Sequence, residues 1–164
     1  MISKNISPEK QLGNFIGKFE PNHQILIRAA RKALRSRFPC AYELVYDNYN
    51  FFVIGYGPTE HPSDCIVSIA AAANGVGLCF IHGAKLHDPN KILLGSGKQT
   101  RFIRLESADV LKRPEVDALL TDAVAQAKTP FPAKGRARLV IRSVSVKQRP
   151  RRTAAKNKSP KASR

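Results

Sequence analysis

The stretch from Gly75 to Leu105 decides the fold and reads GVGLCFIHGAKLHDPNKILLGSGKQTRFIRL. Apolar, strand-like residues occur at both of its ends, and a long connection with several glycines and the Asp88-Pro89 pair separates them. Glycine and Asp-Pro interrupt regular structure, so the stretch predicts two strands joined by an irregular loop. Asn74-Gly75 is a strong hairpin signal, which predicts that the first of these strands pairs with the strand before it.

Outward from this stretch, the sequence predicts further strands and three helices. Strand composition occurs at 41–46, 51–56, 65–72, 76–81 and 101–105. Helical periodicity and proline starts predict a short helix from Pro8, a longer one over 21–37 and a third from Pro114 to about Lys128. This order predicts an α+β two-layer sandwich, in which an antiparallel sheet of about five strands carries the helices on one face.

Charge is distributed unevenly along the 164 residues, whose net charge is +16. Residues 134–164 contain 12 of the 28 lysines and arginines and no acid, whereas residues 1–133 contain 16 against 12 acids. Residues 136–146 have the composition of an edge strand at best, and the sequence beyond 148 is typical of disorder. We therefore predict a helical extension at 1–19, an α+β domain at 20–133 and a basic, mostly disordered tail at 134–164.

The tail carries the clearest functional signal in the chain. Clustered positive charge without acids is typical of segments that bind polyanions, most often nucleic acid. The residues that we expect to make these contacts are Lys147, Arg149, Arg151, Arg152, Lys156, Lys158 and Lys161. The alternative is a solubilising extension that binds nothing in particular.

The remaining composition points to a cytoplasmic protein without a membrane partner. The cysteines Cys40, Cys65 and Cys79 are odd in number and lack paired spacing, which favours a reducing compartment. The N-terminal sequence MISKNISPEKQ has no apolar core of a signal peptide. The most apolar window, 65–81, is too short and too interrupted for a membrane span.

The GSGK sequence at 95–98 resembles a phosphate-binding loop. The nucleotide-binding pattern requires a glycine where Ile92 stands and a serine or threonine where Gln99 stands, so the pattern fails. We favour a structural glycine turn. The alternative is an anion site formed by Gly95, Gly97, Lys98 and Arg101.

Glu43 is a carboxylate within a predicted strand, and two interpretations are open. It could pair with an arginine and fix the join between helix and sheet, which we favour. It could instead line a cleft beside Tyr49 or Arg101 with a shifted pKa. An enzyme acting on a small molecule would use this cleft together with the Gly95–Gly97 loop.

Cys79, His82 and His87 have the residue types of a metal cluster. Zinc requires three or four converging ligands. Two residues three apart on a strand point to opposite faces, so Cys79 and His82 would diverge. We therefore expect strand core and turn residues here, with no metal site and no cofactor.

Several residues resemble, in order and spacing, a family of small bacterial domains. The pattern G-x-x-L-x-D-P-x-x-x-L-x-G-x-G-K-x-x-R runs from Gly83 to Arg101. Upstream, the matching residues are Pro39, Glu43, Tyr46 and the strand Phe51–Gly55. The chain resembles the YdhG-like family over about residues 20–128. The resemblance implies a fold similar to frataxin and, because some members are described as intracellular iron chaperones, suggests iron binding.

Together these observations predict a non-enzymatic binding or accessory module whose cationic tail contacts nucleic acid or another polyanion. An iron chaperone and a small-molecule enzyme are the alternatives. Iron binding requires clustered carboxylates. The helix at 21–37 instead presents the basic residues Arg28, Arg31, Lys32 and Arg35.

Overall fold

The structure is a computed structural model that describes residues 6–154. Within these residues the chain forms three α-helices and six strands, with short 3₁₀ turns in the connections. The elements in chain order are α1 (Pro8–Ile16), α2 (Pro21–Arg37), β1 (Tyr42–Asp47), β2 (Phe52–Gly57), β3 (Val67–Ala72), β4 (Gly75–Phe80), β5 (Arg101–Arg104), α3 (Pro114–Ala125) and β6 (Arg138–Val144). The predicted α+β class is confirmed.

Each helix begins where the sequence provides a start signal. The Ser7 hydroxyl accepts a hydrogen bond from the backbone N–H of Lys10 at 3.2 Å, which satisfies one free donor of α1. Proline occupies the first position of all three helices, where its missing N–H costs nothing. α2 ends at Arg37, before Phe38-Pro39, as the pre-proline restriction predicts.

The strands form one open, mixed sheet in the order β5-β4-β3-β2-β1-β6. β1 to β5 make an antiparallel meander, and Ala72 faces Gly75 at the predicted Asn74-Gly75 hairpin. β6 pairs with β1 in parallel, so the expectation of about five antiparallel strands is corrected to six strands in a mixed sheet. The reason is topological, because α3 carries the chain across the sheet and returns it to the free edge of β1.

The predicted tail is structured through much of its length. β6 alternates, so Leu139 and Ile141 pack against the core while Arg138 and Arg142 remain exposed. Beyond β6, Arg151 is 4% exposed. The edge strand predicted at 136–146 is confirmed as β6. The prediction of a mostly disordered tail from 134 is wrong as far as Ala154, because β6 pairs with β1 and Arg151 is buried against Asp47. Three predicted contact residues lie outside the described residues, namely Lys156, Lys158 and Lys161.

One hydrophobic core lies between the helices and the sheet. All three helices contribute to it, and the sheet contributes residues such as Val45, Ile54 and Leu78. Leu12 and Ile16 of α1 belong to this core, so the predicted N-terminal extension is part of the domain. No helix among residues 6–154 combines the length and apolar character needed to cross a membrane.

The other side of the sheet, here called the open face, carries the alternate strand residues. It includes the half-buried residues Tyr42, Tyr46, Val53, Ala70, Cys79 and Phe102. The buried residues of all three helices belong to the cluster on the opposite side. The open face is therefore accessible at these half-buried positions, whereas Leu44 and Ser68 on the same face are buried.

Candidate nucleic-acid interface

Three arginines of the C-terminal segment each lie beside a tyrosine of β1 or of the turn after it. The guanidinium carbon of Arg138 is 5.8 Å from the centre of the Tyr42 ring. Arg149 lies 5.7 Å from the Tyr49 ring centre. Arg142 neighbours Tyr46, where burial raises the pKa of the tyrosine and the positive charge of Arg142 lowers it. We call these six residues the arginine–tyrosine row.

Backbone pairing sets the positions of the row. The parallel register places Arg138 opposite Tyr42. The irregularity between Val45 and Tyr46 shifts the register by one residue, so Ser143 lies opposite Tyr46 and Arg142 reaches the tyrosine from the bulge. Past β6, the backbone N–H of Arg149 donates to the Tyr49 carbonyl oxygen at 2.9 Å.

The row has a positive surface with aromatic rings beneath it. Arg138, Arg142 and Arg149 are exposed. Burial raises the pKa of Tyr46 above its ordinary value, and the Arg142 guanidinium offsets part of this rise. Stacking of a guanidinium on an aromatic ring keeps its outward N–H donors available. The arrangement can therefore receive a phosphate.

The other predicted contact residues of the described tail differ in availability. Lys147 is exposed, and Arg152 is exposed while its Nε donates to the Lys18 carbonyl oxygen at 3.2 Å. Arg151 is buried and donates to an Asp47 carboxylate oxygen at 2.9 Å, so it holds the segment in place. The sequence did not separate these roles, because the partner of Arg151 lies 104 residues away.

Glu43 is buried in an ion pair, which is the interpretation favoured from the sequence. Two N–H groups of Arg31 donate to its two carboxylate oxygens, both at 3.0 Å. The Tyr56 hydroxyl donates to the same carboxylate at 2.9 Å. Burial and this neighbouring charge raise the pKa of Tyr56 well above its ordinary value. Glu43 thus joins α2 to the sheet.

The predicted cleft residues lie far apart. Glu43 and Arg101 occupy the same cross-strand row, but β2, β3 and β4 lie between their strands. Four strand spacings correspond to about 19 Å. Tyr49 lies past the other end of β1, against Arg149. The described residues therefore form no cleft that unites Glu43, Tyr49 and Arg101.

The glycine loop and Arg101 are close together. One Arg101 N–H group donates to the carbonyl oxygens of Gly97 at 2.5 Å and Thr100 at 2.9 Å. Gly95 has a φ of +110°, a conformation that favours glycine. Lys98 is exposed. Because the Arg101 side chain binds carbonyl oxygens of the loop, it holds the loop in one conformation. This agrees with the interpretation of the loop as a structural glycine turn.

No family model, curated protein or solved structure matches this chain. The resemblance to the YdhG-like family stays a prediction.

A cavity of about 300 Å³ lies between the β2–β3 loop and the C-terminal end of α3. Its polar lining includes Cys65, His82, Lys85, Gln99 and Gln126. Sequence reasoning missed it because these residues are dispersed and follow no motif. Among residues 6–154, no group of three or more His, Cys, Asp and Glu side chains is arranged to hold a metal ion.

Cys65 in this cavity is expected to react slowly with thiol reagents. Its Sγ donates to the Val67 carbonyl oxygen at 3.4 Å, and burial raises the pKa of the thiol to about 11. The higher pKa lowers the thiolate fraction near neutral pH about a hundredfold relative to an ordinary cysteine. Alkylation followed by mass spectrometry, in variants that retain only Cys40 or only Cys65, should show this difference. Equal rates near neutral pH would contradict it.

Proposed function

We propose that the protein is a non-enzymatic accessory module that binds nucleic acid through the arginine–tyrosine row and its basic C-terminal segment. The observation that carries the proposal is that three exposed arginines line one edge of the sheet, where Arg138 and Arg149 each lie over a tyrosine ring and Arg142 neighbours Tyr46. Arginine is suited to phosphate because its planar guanidinium can donate two parallel hydrogen bonds.

The fixed backbone of the row supports binding beyond what an unstructured basic segment provides. Arg138 lies on a paired position of β6, Arg142 lies at the bulge between the paired residues Ile141 and Ser143, and the backbone N–H of Arg149 donates to the Tyr49 carbonyl oxygen. Side chains that already lie against a ring lose less conformational freedom when they bind a phosphate. The strand positions of the open face contain no Asp or Glu among the described residues, so nothing on them repels the phosphates.

The double variant Arg138→Ala/Arg142→Ala should weaken nucleic-acid binding and its salt dependence. Each phosphate contact adds about 0.9 to the slope of log affinity against log salt concentration. Losing two contacts should therefore reduce the slope by about 2. Fluorescence anisotropy of a labelled oligonucleotide with the full chain, measured over a salt series, tests this expectation.

The matched control is Arg28→Ala/Lys32→Ala, which removes the same charge from exposed positions of α2 on the other side of the sheet. It should change the slope much less. Equal effects of the two double variants would show that only total charge matters and would overturn the proposed interface. A truncation after Ala154 tests the remaining basic residues without removing β6.

The two alternatives receive less support from the described residues. An iron site would use neighbouring carboxylates, and Glu43 and Asp47 both lie on the helix side of β1. Each is already neutralised by cations, Glu43 by Arg31 and Asp47 by Lys18 and Arg151. A small-molecule enzyme would require Glu43 near the glycine loop, and three strands separate them.

A further inference from the structure

The open face next to the arginine–tyrosine row is a flat floor of small side chains. Its residues on the three central strands are Val53, Gly55, Ser68, Ala70, Gly77 and Cys79. A Cβ on Gly55 would lie 2.8 Å from the Cys65 sulfur, so the Cys65 side chain covers the floor above Gly55. The half-buried part of the floor that remains accessible lies at Val53, Ala70, Gly77 and Cys79.

Aromatic and basic residues occur at both edges of this floor. Tyr42 and Tyr46 of β1 lie at one side, with the arginines of β6 beyond them. Phe102 and Arg104 of β5 lie at the other side on the same face, because they are opposite Cys79 and Gly77. Six strands side by side give a surface about 24 Å wide. Positive charge thus flanks an apolar and aromatic surface.

This combination suits a nucleic acid whose bases are free. Unpaired bases stack on aromatic side chains of open sheets while arginines contact the backbone. In a duplex the base faces are occupied by their neighbours, so only the phosphates can reach the row. A duplex would therefore gain the charge interaction and lose the contact with the tyrosine rings.

We infer that the open face binds single-stranded nucleic acid, whose bases stack on Tyr42 and Tyr46 while its phosphates contact Arg138 and Arg142. This inference rests on the proposed function and names its ligand class. The charges of the row are complementary to phosphate, and the Tyr42 and Tyr46 rings are half-buried. The Arg138 guanidinium lies 5.8 Å from the centre of the Tyr42 ring, so a base would stack on Tyr42 as this guanidinium moves from the ring to a phosphate. Phe102 provides a further stacking position at the far edge.

The test compares labelled oligothymidylate and oligouridylate of about 12 nucleotides, within the usual span of such sites, with a duplex of the same length. The full chain should bind both single strands more tightly than the duplex at equal salt. Tyr42→Leu and Tyr46→Leu should each lower single-strand affinity by about tenfold and change duplex affinity less than twofold. Tyr46→Phe keeps the ring and should retain single-strand binding.

The outcomes separate the two proposals. Loss of the single-strand preference in the leucine variants, but not in Tyr46→Phe, supports the inference, provided that thermal unfolding shows all variants to be folded. Equal affinity for single strand and duplex, unchanged by the tyrosine variants, overturns it. In that case the proposed function would still hold if the double variant Arg138→Ala/Arg142→Ala weakens nucleic-acid binding. Absence of binding to any of the three probes would refute both.

Discussion

Replacing Arg31 with methionine is expected to lower the free energy of unfolding by about 3–5 kcal/mol. Arg31 lies between two carboxylates, donating to Glu43 at 3.0 Å and to Glu9 at 2.7 and 3.0 Å. The side chain of Glu43 is 1% exposed, so without Arg31 its charge would remain buried with only the Tyr56 hydroxyl and the more distant Arg35 near it. Urea unfolding followed by circular dichroism measures the change.

Two further variants distinguish this cause from a general loss of packing. Arg28→Met changes an exposed arginine of the same helix and should alter stability by about 0.5 kcal/mol or less. Adding Glu43→Gln to Arg31→Met should recover much of the loss, because the buried group is then neutral and still accepts the Tyr56 hydrogen bond. If the double variant is no more stable than Arg31→Met, the unpaired charge is not the cause.

Sequence periodicity was sufficient to predict most of the secondary structure. The strands at 42–47, 52–57, 67–72, 75–80 and 101–104 lie within one or two residues of their predicted positions. The helix at 21–37 was predicted with the same bounds. Apolar alternation and helical spacing are local properties, so they can be read from a single sequence without knowledge of long-range contacts.

The residues between β4 and β5 that carry the family resemblance have structural roles. A Cβ on Gly83 would lie 2.8 Å from the Arg101 backbone nitrogen, so only glycine allows this approach. The Asp88 carboxylate accepts hydrogen bonds from the backbone N–H groups of Ile92 and Leu93, both at 3.0 Å. These contacts show that Gly83 and Asp88 hold the backbone of the connection between β4 and β5 in one conformation.

The interface could not be predicted because it depends on a long-range register. Nothing in the sequence near Arg138 indicates that it lies opposite Tyr42, since parallel pairing with β1 follows only from the return of the chain through α3. The high charge of the C-terminal segment also led to the wrong prediction that it is disordered. A segment with many arginines is typical of disorder, but here Arg151 is buried against Asp47 and aromatic rings cover other arginines.

Replacing Asp47 with asparagine is expected to destabilise the protein by about 3–5 kcal/mol and to release the C-terminal segment. Asp47 is 1% exposed and receives hydrogen bonds from Lys18 at 2.7 Å and Arg151 at 2.9 Å. The variant would leave the buried Arg151 without a counter-charge, and the least costly response is for the segment to leave the core. Urea unfolding measures the first effect, and trypsin cleavage after Lys147 or Arg151 reports the second.

The neutral substitution at an exposed pair provides the control. Asp109 and Lys112 are 3.5 Å apart with side chains more than 80% exposed, so Asp109→Asn should cost less than about 1 kcal/mol. Adding Arg151→Met to Asp47→Asn removes the unpaired cation and should restore part of the stability. Unchanged stability and unchanged trypsin cleavage in Asp47→Asn would mean that this ion pair does not hold the segment. Because Arg149 lies two residues before Arg151, the same variant should also weaken nucleic-acid binding if Asp47 anchors the end of the arginine–tyrosine row.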